Sequence, residues 1–118
     1  MKQKHALAIE DITGLGKCSL TVALPILSVA GLTCSVLPTA VLSTHPSGFT
    51  GYTYRDLTAD ILPMAAHWKA EGLTFDAVYS GFLGSYEQLE SVQRIFQLFG
   101  RKDTVRLVDP VMGDNGKL

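Results

Sequence analysis

The stretch FDAVYSGFLGSYEQLESVQRIFQLFGRKDTVRLVD, Phe75 to Asp109, decides the fold. It opens on a short apolar run, Phe75 to Ser80, of the kind that suits a strand buried on both faces. A glycine-rich turn, SGFLGS, follows. Ser85 is then placed to cap a helix with Glu87 and Glu90 in its early turns. Leu89, Val92, Ile95, Phe96 and Phe99 fall at apolar helical spacing before Gly100. The stretch closes on a second strand, TVRLVD, Thr104 to Asp109. Strand, helix and strand in that order form a right-handed crossover unit whose two strands run parallel.

Outward from this unit the same grammar repeats. HALAI (His5 to Ile9) and TCSVLPTAVL (Thr33 to Leu42) read as further buried strands. Ser19 to Ala30 is apolar nearly all round and reads as a helix lying under other elements, with Ser19 or Cys18 near its start and Gly31 as its stop. Asp56 to Glu71 is amphipathic, with Leu57, Ile61, Met64, Ala65 and Trp68 on one side, Gly72 after it and Pro63 predicted to kink it. The fold class is therefore α/β, a three-layer αβα arrangement around a mainly parallel sheet.

The totals agree with one such domain. At 118 residues, 47% apolar and 18% charged, the chain carries material for a solid core. A net charge of -1 leaves no electrostatic footprint for nucleic acid or an anionic membrane, so a small-molecule ligand fits better. Cys18 and Cys34 lack metal-ligand spacing and read as buried thiols in a reducing cytosol. No Asp, Glu, Lys or Arg occurs between Cys18 and Tyr54, a run long enough to span a bilayer. Pro25, Gly31 and Pro38 interrupt it, so a buried helix and a buried strand explain it better than a membrane span. The opening MKQKHALAIED has too short an apolar run for a secretory signal, which makes the expected location cytoplasmic.

In a parallel sheet ligands bind outside the carboxyl ends of the strands. Those ends carry EDITGLGK (Glu10 to Lys17), STHPSGFTGY (Ser43 to Tyr52), SGFLGS and DPVMGDNG (Asp109 to Gly116), which places all four on one rim. TGLGK fits neither a Walker loop nor the dinucleotide fingerprint, and reads as a substrate-facing loop or a tight turn. Asp109 and Asp114 are spaced to hold a hard cation such as Mg²⁺, or else to cap backbone and shape a turn. His45 is placed to bond a ligand or its own loop. His67 reads as structural, and His5 as surface or strand edge.

With STH and its Gly-aromatic loop, then DAVYSGFLGS, then VDPVMGDNGKL in this order, the chain resembles the pyridoxal and pyridoxamine kinases of the ribokinase-like superfamily over essentially its whole length. The DITGLGKCSLTVALPIL opening is similar to the bacterial branch near the hydroxymethylpyrimidine kinases. The resemblance implies ATP-dependent phosphorylation of the 5′-hydroxymethyl group of a vitamin B6 vitamer. It places Asp11 against the pyridine ring, Thr44, His45 and Ser47 along the same pocket, and Phe82 packed on the ring. Asp109 and Asp114 fall beside the ATP phosphates and their Mg²⁺, with a monovalent cation as a further cofactor the family allows. Two positions depart from the usual pattern. Asp11 stands where many pyridoxal kinases have Ser, which keeps a hydroxymethylpyrimidine substrate open, and Pro46 stands where a substrate-contacting Thr is common.

The superfamily's catalytic base and anion hole lie in a late GxGD stretch, and this sequence contains none. The expectation is thus that residues 1–118 form the N-terminal, substrate-binding portion of one ribokinase-like domain, without the nucleotide-binding half and inactive alone. The last strand would then expose an edge and an apolar patch that favour association. Relatives form homodimers, an expectation carried over to the full-length protein. A reading of another class is a non-catalytic, flavodoxin-like ligand-binding module.

Overall fold

The computed structural model describes residues 3–16, 19–81, 83 and 85–109. Its centre is β1 (His5–Thr13), which pairs in parallel with β2 (Thr33–Leu42) on one edge and with β4 (Ala77–Ser80) on the other. β4 pairs in parallel with β5 (Val105–Val108), and a short antiparallel strand β3 (Tyr54–Asp56) borders β2, giving the order β3-β2-β1-β4-β5. The predicted α/β class with a mainly parallel sheet is what forms. The strand β3 was not foreseen; its YTYRD sequence, aromatic and β-branched after Gly51, is a strand signal hidden inside a turn-rich segment.

Helix placement follows from the direction of each crossover. The connection from β1 to β2 through α1 (Leu20–Val29) moves one way along the sheet. Those through α2 (Thr58–Ala70) to β4 and through α3 (Tyr86–Phe99) to β5 move the other way. Right-handed crossovers in opposite directions put α1 on one face and α2 with α3 on the other. Side-chain alternation along β1 serves both faces. Leu7 and Ile9 join Leu37 and Val78 beneath Ile61 and Ala65 of α2 and Val92, Ile95 and Phe99 of α3. Phe75 sits at the middle of this core, in edge-on contact with His5 (4.8 Å), Phe99 (4.9 Å) and Trp68 (6.2 Å).

His5 is therefore not at a strand edge. It is half-buried on the central strand, with Nε2 2.7 Å from the Ser35 hydroxyl. His67 stands exposed on α2, 3.6 Å from Glu71 one turn on. Ser85 caps α3 as expected, its hydroxyl accepting the Gln88 N–H. On α3 the buried stripe is Gln88, Ser91, Val92, Ile95 and Phe99, and Leu89 turns outward instead. Among the described residues no element covers the outer side of α1. Ile26 and Val29 are 62% and 89% exposed there, against the expectation that this helix lies beneath others. A groove of about 670 Å³ runs beside it over β4 and β5, lined by Val22, Ile26, Leu27, Val105 and Leu107. No described helix is long and apolar enough to cross a membrane.

One irregularity connects the core to the rim. Pro38 has no N–H to give a ladder, and the register between β1 and β2 slips beside it: Glu10 pairs with Pro38, but Ile12 pairs with Val41. Two residues of β2, Thr39 and Ala40, thus oppose Asp11 alone. The Thr39 carbonyl accepts instead from the Leu57 N–H (3.0 Å) and from Gln88 Nε2 (3.0 Å). The same amide of Gln88, which is 1% exposed, also reaches Asp56 Oδ1 and the Thr58 hydroxyl. Replacing Gln88 by Leu removes the buried amide that joins these groups and leaves the Thr39 carbonyl with the Leu57 N–H alone. We expect a loss of about 2 kcal/mol in urea unfolding, far above the effect of the same change at exposed Gln93.

Candidate functional site

Because four of the strands share one direction, their carboxyl ends meet at one edge. The direction of the crossovers reverses between β1 and β4, and this is where an α/β sheet opens a crevice at its edge. Asp11 lies two residues before the end of β1, and Thr44, His45 and Ser47 follow β2, the adjacent strand. Asp109 follows β5, two strands away on the other side, or roughly 10 Å at the usual strand spacing. Phe82 and Asp114 lie outside the described residues.

Asp11 is 8% exposed and is held from two sides. Its Oδ1 accepts the Ser19 hydroxyl at 2.7 Å and its Oδ2 accepts the Thr13 hydroxyl at 3.2 Å. A carboxylate offers about four lone-pair directions, so acceptor capacity remains. Thr44 Oγ1 is buried and has no partner among the described residues. His45 packs edge-on against Phe49, with ring centres 5.1 Å apart. Ser43 closes this loop, its N–H and hydroxyl bonding the carbonyl and N–H of Thr53. Ser47 is exposed.

The TGLGK turn is partly committed already. The N–H groups of Gly14 and Leu15 continue the pairing onto the Leu42 and Ser43 carbonyls, so they are not free to cradle a phosphate. Asp109 is exposed, and its N–H bonds the Ser80 carbonyl. Among the described residues no group of three or more His, Cys, Asp or Glu is placed to hold a metal ion. Asp109 alone does not make a cation site.

Two residues that sequence reasoning passed over belong to this edge. Glu10 is 5% exposed, on the α1 side of the sheet, at the boundary of β1 and β4. It accepts the Tyr79 hydroxyl, while its Oε2 has no partner among the described residues. Burial pushes its carboxyl above the usual range, and the charges of Asp11 and Asp109 add to this against the Tyr79 bond. Tyr79 is pushed up to about 12, chiefly by burial and then by Glu10. Gly81 gives Glu10 its room, since a Cβ there would run into the Glu10 carboxylate. The sequence shows an acid pair within an otherwise apolar strand, but not the burial and the Tyr79 bond that give Glu10 its character. Tyr54 of β3 is the second such residue: burial, then Asp56 and Asp11, raise its phenol, which puts it within electrostatic reach of Asp11. Cys34 is half-buried, and burial together with Glu10 raises its thiol, in keeping with an unreactive cysteine.

The sheet order and the two-faced helix layers define an α/β fold, and solved structures of the ribokinase-like fold match it. Over 99% of its length the chain is 43% identical, with a TM-score of 0.92, to a provisional phosphomethylpyrimidine kinase from Bacteroides thetaiotaomicron crystallised with pyridoxal, of which it spans 41%. It is 32% identical over 99% of its length to pyridoxal kinase from Lactobacillus plantarum, with a TM-score of 0.89 and 41% of that chain covered. Pyridoxal kinase from Leishmania donovani in complex with ADP shares the fold at 24% identity, with a TM-score of 0.80, 98% of this chain and 42% of that one. The chain is thus similar to a pyridoxal kinase and to a provisional phosphomethylpyrimidine kinase, and spans about two-fifths of the length of the structures it matches. No protein-family profile matches it, and no curated protein is significantly similar.

Glu10 generates a pH test. A carboxyl raised in the folded state favours folding while protonated, so its contribution is complete below the ordinary carboxylate range. It is lost as pH rises through the elevated folded value. Glu10→Gln should melt above the wild type at pH 7, and the difference should shrink towards pH 4 in thermal unfolding followed by circular dichroism.

Proposed function

We propose that this chain is the vitamer-binding portion of a longer kinase architecture that transfers the γ-phosphoryl of ATP to the hydroxymethyl group of a B6-type heterocycle. One observation carries the reading. Asp11, two residues before the end of β1, and Thr44, two residues after β2, give a charged acceptor and a buried hydroxyl with no partner among the described residues to one edge of the sheet, where Asp109 follows β5. The likeness to a structure crystallised with pyridoxal supports the choice of ring.

In this reading Asp11, Thr44, His45 and Ser47 hold the heterocycle, and Phe82 packs against it. Asp11 accepts a hydrogen bond from a ring N–H or hydroxyl. Asp109 lies towards the nucleotide, and with Asp114 would be its contribution to a Mg²⁺ site, where the cation neutralises phosphate charge. Phosphoryl transfer asks the protein chiefly for such positioning and charge compensation. The resemblance assigns the base and the anion hole to a GxGD stretch, which these 118 residues do not contain. A hydroxymethylpyrimidine is the second reading, favoured by the acid at position 11 and by the name given to the Bacteroides protein.

Isothermal titration of the purified chain with pyridoxal tests this directly. Saturable binding that weakens about tenfold or more in Asp11→Ala is the expected outcome, together with no ATP-dependent phosphorylation by the chain alone. Binding unaffected by that substitution, or tighter binding of hydroxymethylpyrimidine than of pyridoxal, would reject the vitamin B6 reading.

A further inference from the structure

Ser19 holds a conformation that its chemistry does not favour. Its backbone (φ 52°, ψ -126°) lies where glycine goes freely and L side chains are strained, and it is the only non-glycine residue with positive φ among the described residues. Ser19 also occupies the N-cap position of α1. A serine there ordinarily accepts a backbone N–H from the first turn. It makes no such bond, and the first turn of α1 has no acidic residue to compensate. The hydroxyl is turned the other way and donates to Asp11 Oδ1 at 2.7 Å. An antiparallel bridge to Ile12 keeps Ser19 against the end of β1 while it does so.

Two local sources of stability, a relaxed backbone and a cap, are thus given up for one hydrogen bond to a carboxylate. Glycine at this position would recover the backbone and remain an acceptable N-cap residue. Strain of this kind persists where surrounding structure imposes it, and it clusters at ligand-binding positions. We propose that Ser19 is a positioning residue of the rim. With Thr13 on the other oxygen, it fixes the Asp11 carboxylate in one orientation and leaves its remaining lone pairs to meet the donor of a hydroxymethyl-bearing heterocycle. This rests on the reading of Asp11 as a ligand contact, and the test below separates the two.

The chain is compared with its Ser19→Gly and Ser19→Ala variants by thermal unfolding, by calorimetric titration with pyridoxal, and by the NMR shift of the Asp11 carboxyl carbon. A merely structural serine would lose stability and binding together in both variants. A positioning serine splits them. Ser19→Gly melts higher, by roughly 4 °C, yet binds pyridoxal about tenfold more weakly, with a displaced Asp11 signal. Ser19→Ala keeps the strain, melts lower and binds equally weakly. A glycine variant that melts lower, or that binds pyridoxal as tightly as the wild type, overturns the proposal. Should the wild-type chain not bind pyridoxal, the vitamer reading fails. The carboxyl carbon then decides the positioning role: a displaced signal in Ser19→Gly supports it and an unmoved one overturns it.

Discussion

Everything in this molecule depends on β1 being hydrogen-bonded along both edges and covered on both faces. Leu7, Ala8 and Ile9 have no exposed surface at all, which a central parallel strand requires. The same enclosure extends to the strand's polar end, so Glu10 and Asp11 are carried out of water with it. A carboxylate in that position must be bonded or neutralised. Asp11 is bonded, by Ser19 and Thr13. Glu10 is only half bonded, by Tyr79, and its carboxyl is accordingly raised. The two acids are neighbours in sequence, and their environments push them towards different chemistry: a fixed acceptor on one side, a reluctant acid on the other.

The slip at Pro38 shows how the surroundings accommodate the rim. A proline inside a paired strand ordinarily weakens a sheet. Here the carbonyl released at Thr39 is taken up by Leu57 and Gln88, so the break in one ladder becomes a bond between β2, the start of α2, and α3. The bulge opposite Asp11 is thereby braced from the core side. Ser19 braces the same carboxylate from the other side through a backbone that would relax if released. Asp11 is thus held between two local sacrifices, a pattern expected where geometry matters more than stability.

The sequence disclosed the scaffold well because parallel strands buried on both faces are written as uninterrupted apolar runs, and Thr33–Leu42 was legible to the residue. Helix ends were legible where a side chain enforces them, as Ser85 does for α3. At Gly31 a left-handed φ of 88° closes α1 after its last turn. What was not legible depends on distant contacts. Leu89 fits an apolar helical spacing, but the stripe beneath α3 is set by where Thr39 and Asp56 lie, and these select Gln88 instead. His5 looked peripheral because its place beside Phe75 and Ser35 is created by the folded sheet. At the rim, the residue types at Asp11, Thr44, His45 and Asp109 could be read as polar outlets. The roles of Glu10, Ser19 and Tyr54 could not, since each is defined by burial, backbone or charge that only the assembled edge supplies.

The two faces of the sheet are unequal, and this bears on the edge they share. The α2 and α3 side holds a dense aromatic core around Phe75, while the α1 side leaves an open groove across β4 and β5. Crossovers reverse between β1 and β4, so α1 and α3 depart on opposite faces and the outlets of these two strands part from each other. Glu10, Ser80 and Gly81 line that parting, with Asp11 on one flank and Asp109 on the other. A small ring seated at Asp11 would leave roughly 10 Å to Asp109, which is the span of two strand spacings and not of one hydrogen bond. On the reading proposed above, vitamer and nucleotide would meet over the β4 outlet, beside Gly81, whose missing Cβ leaves room for the Glu10 side chain.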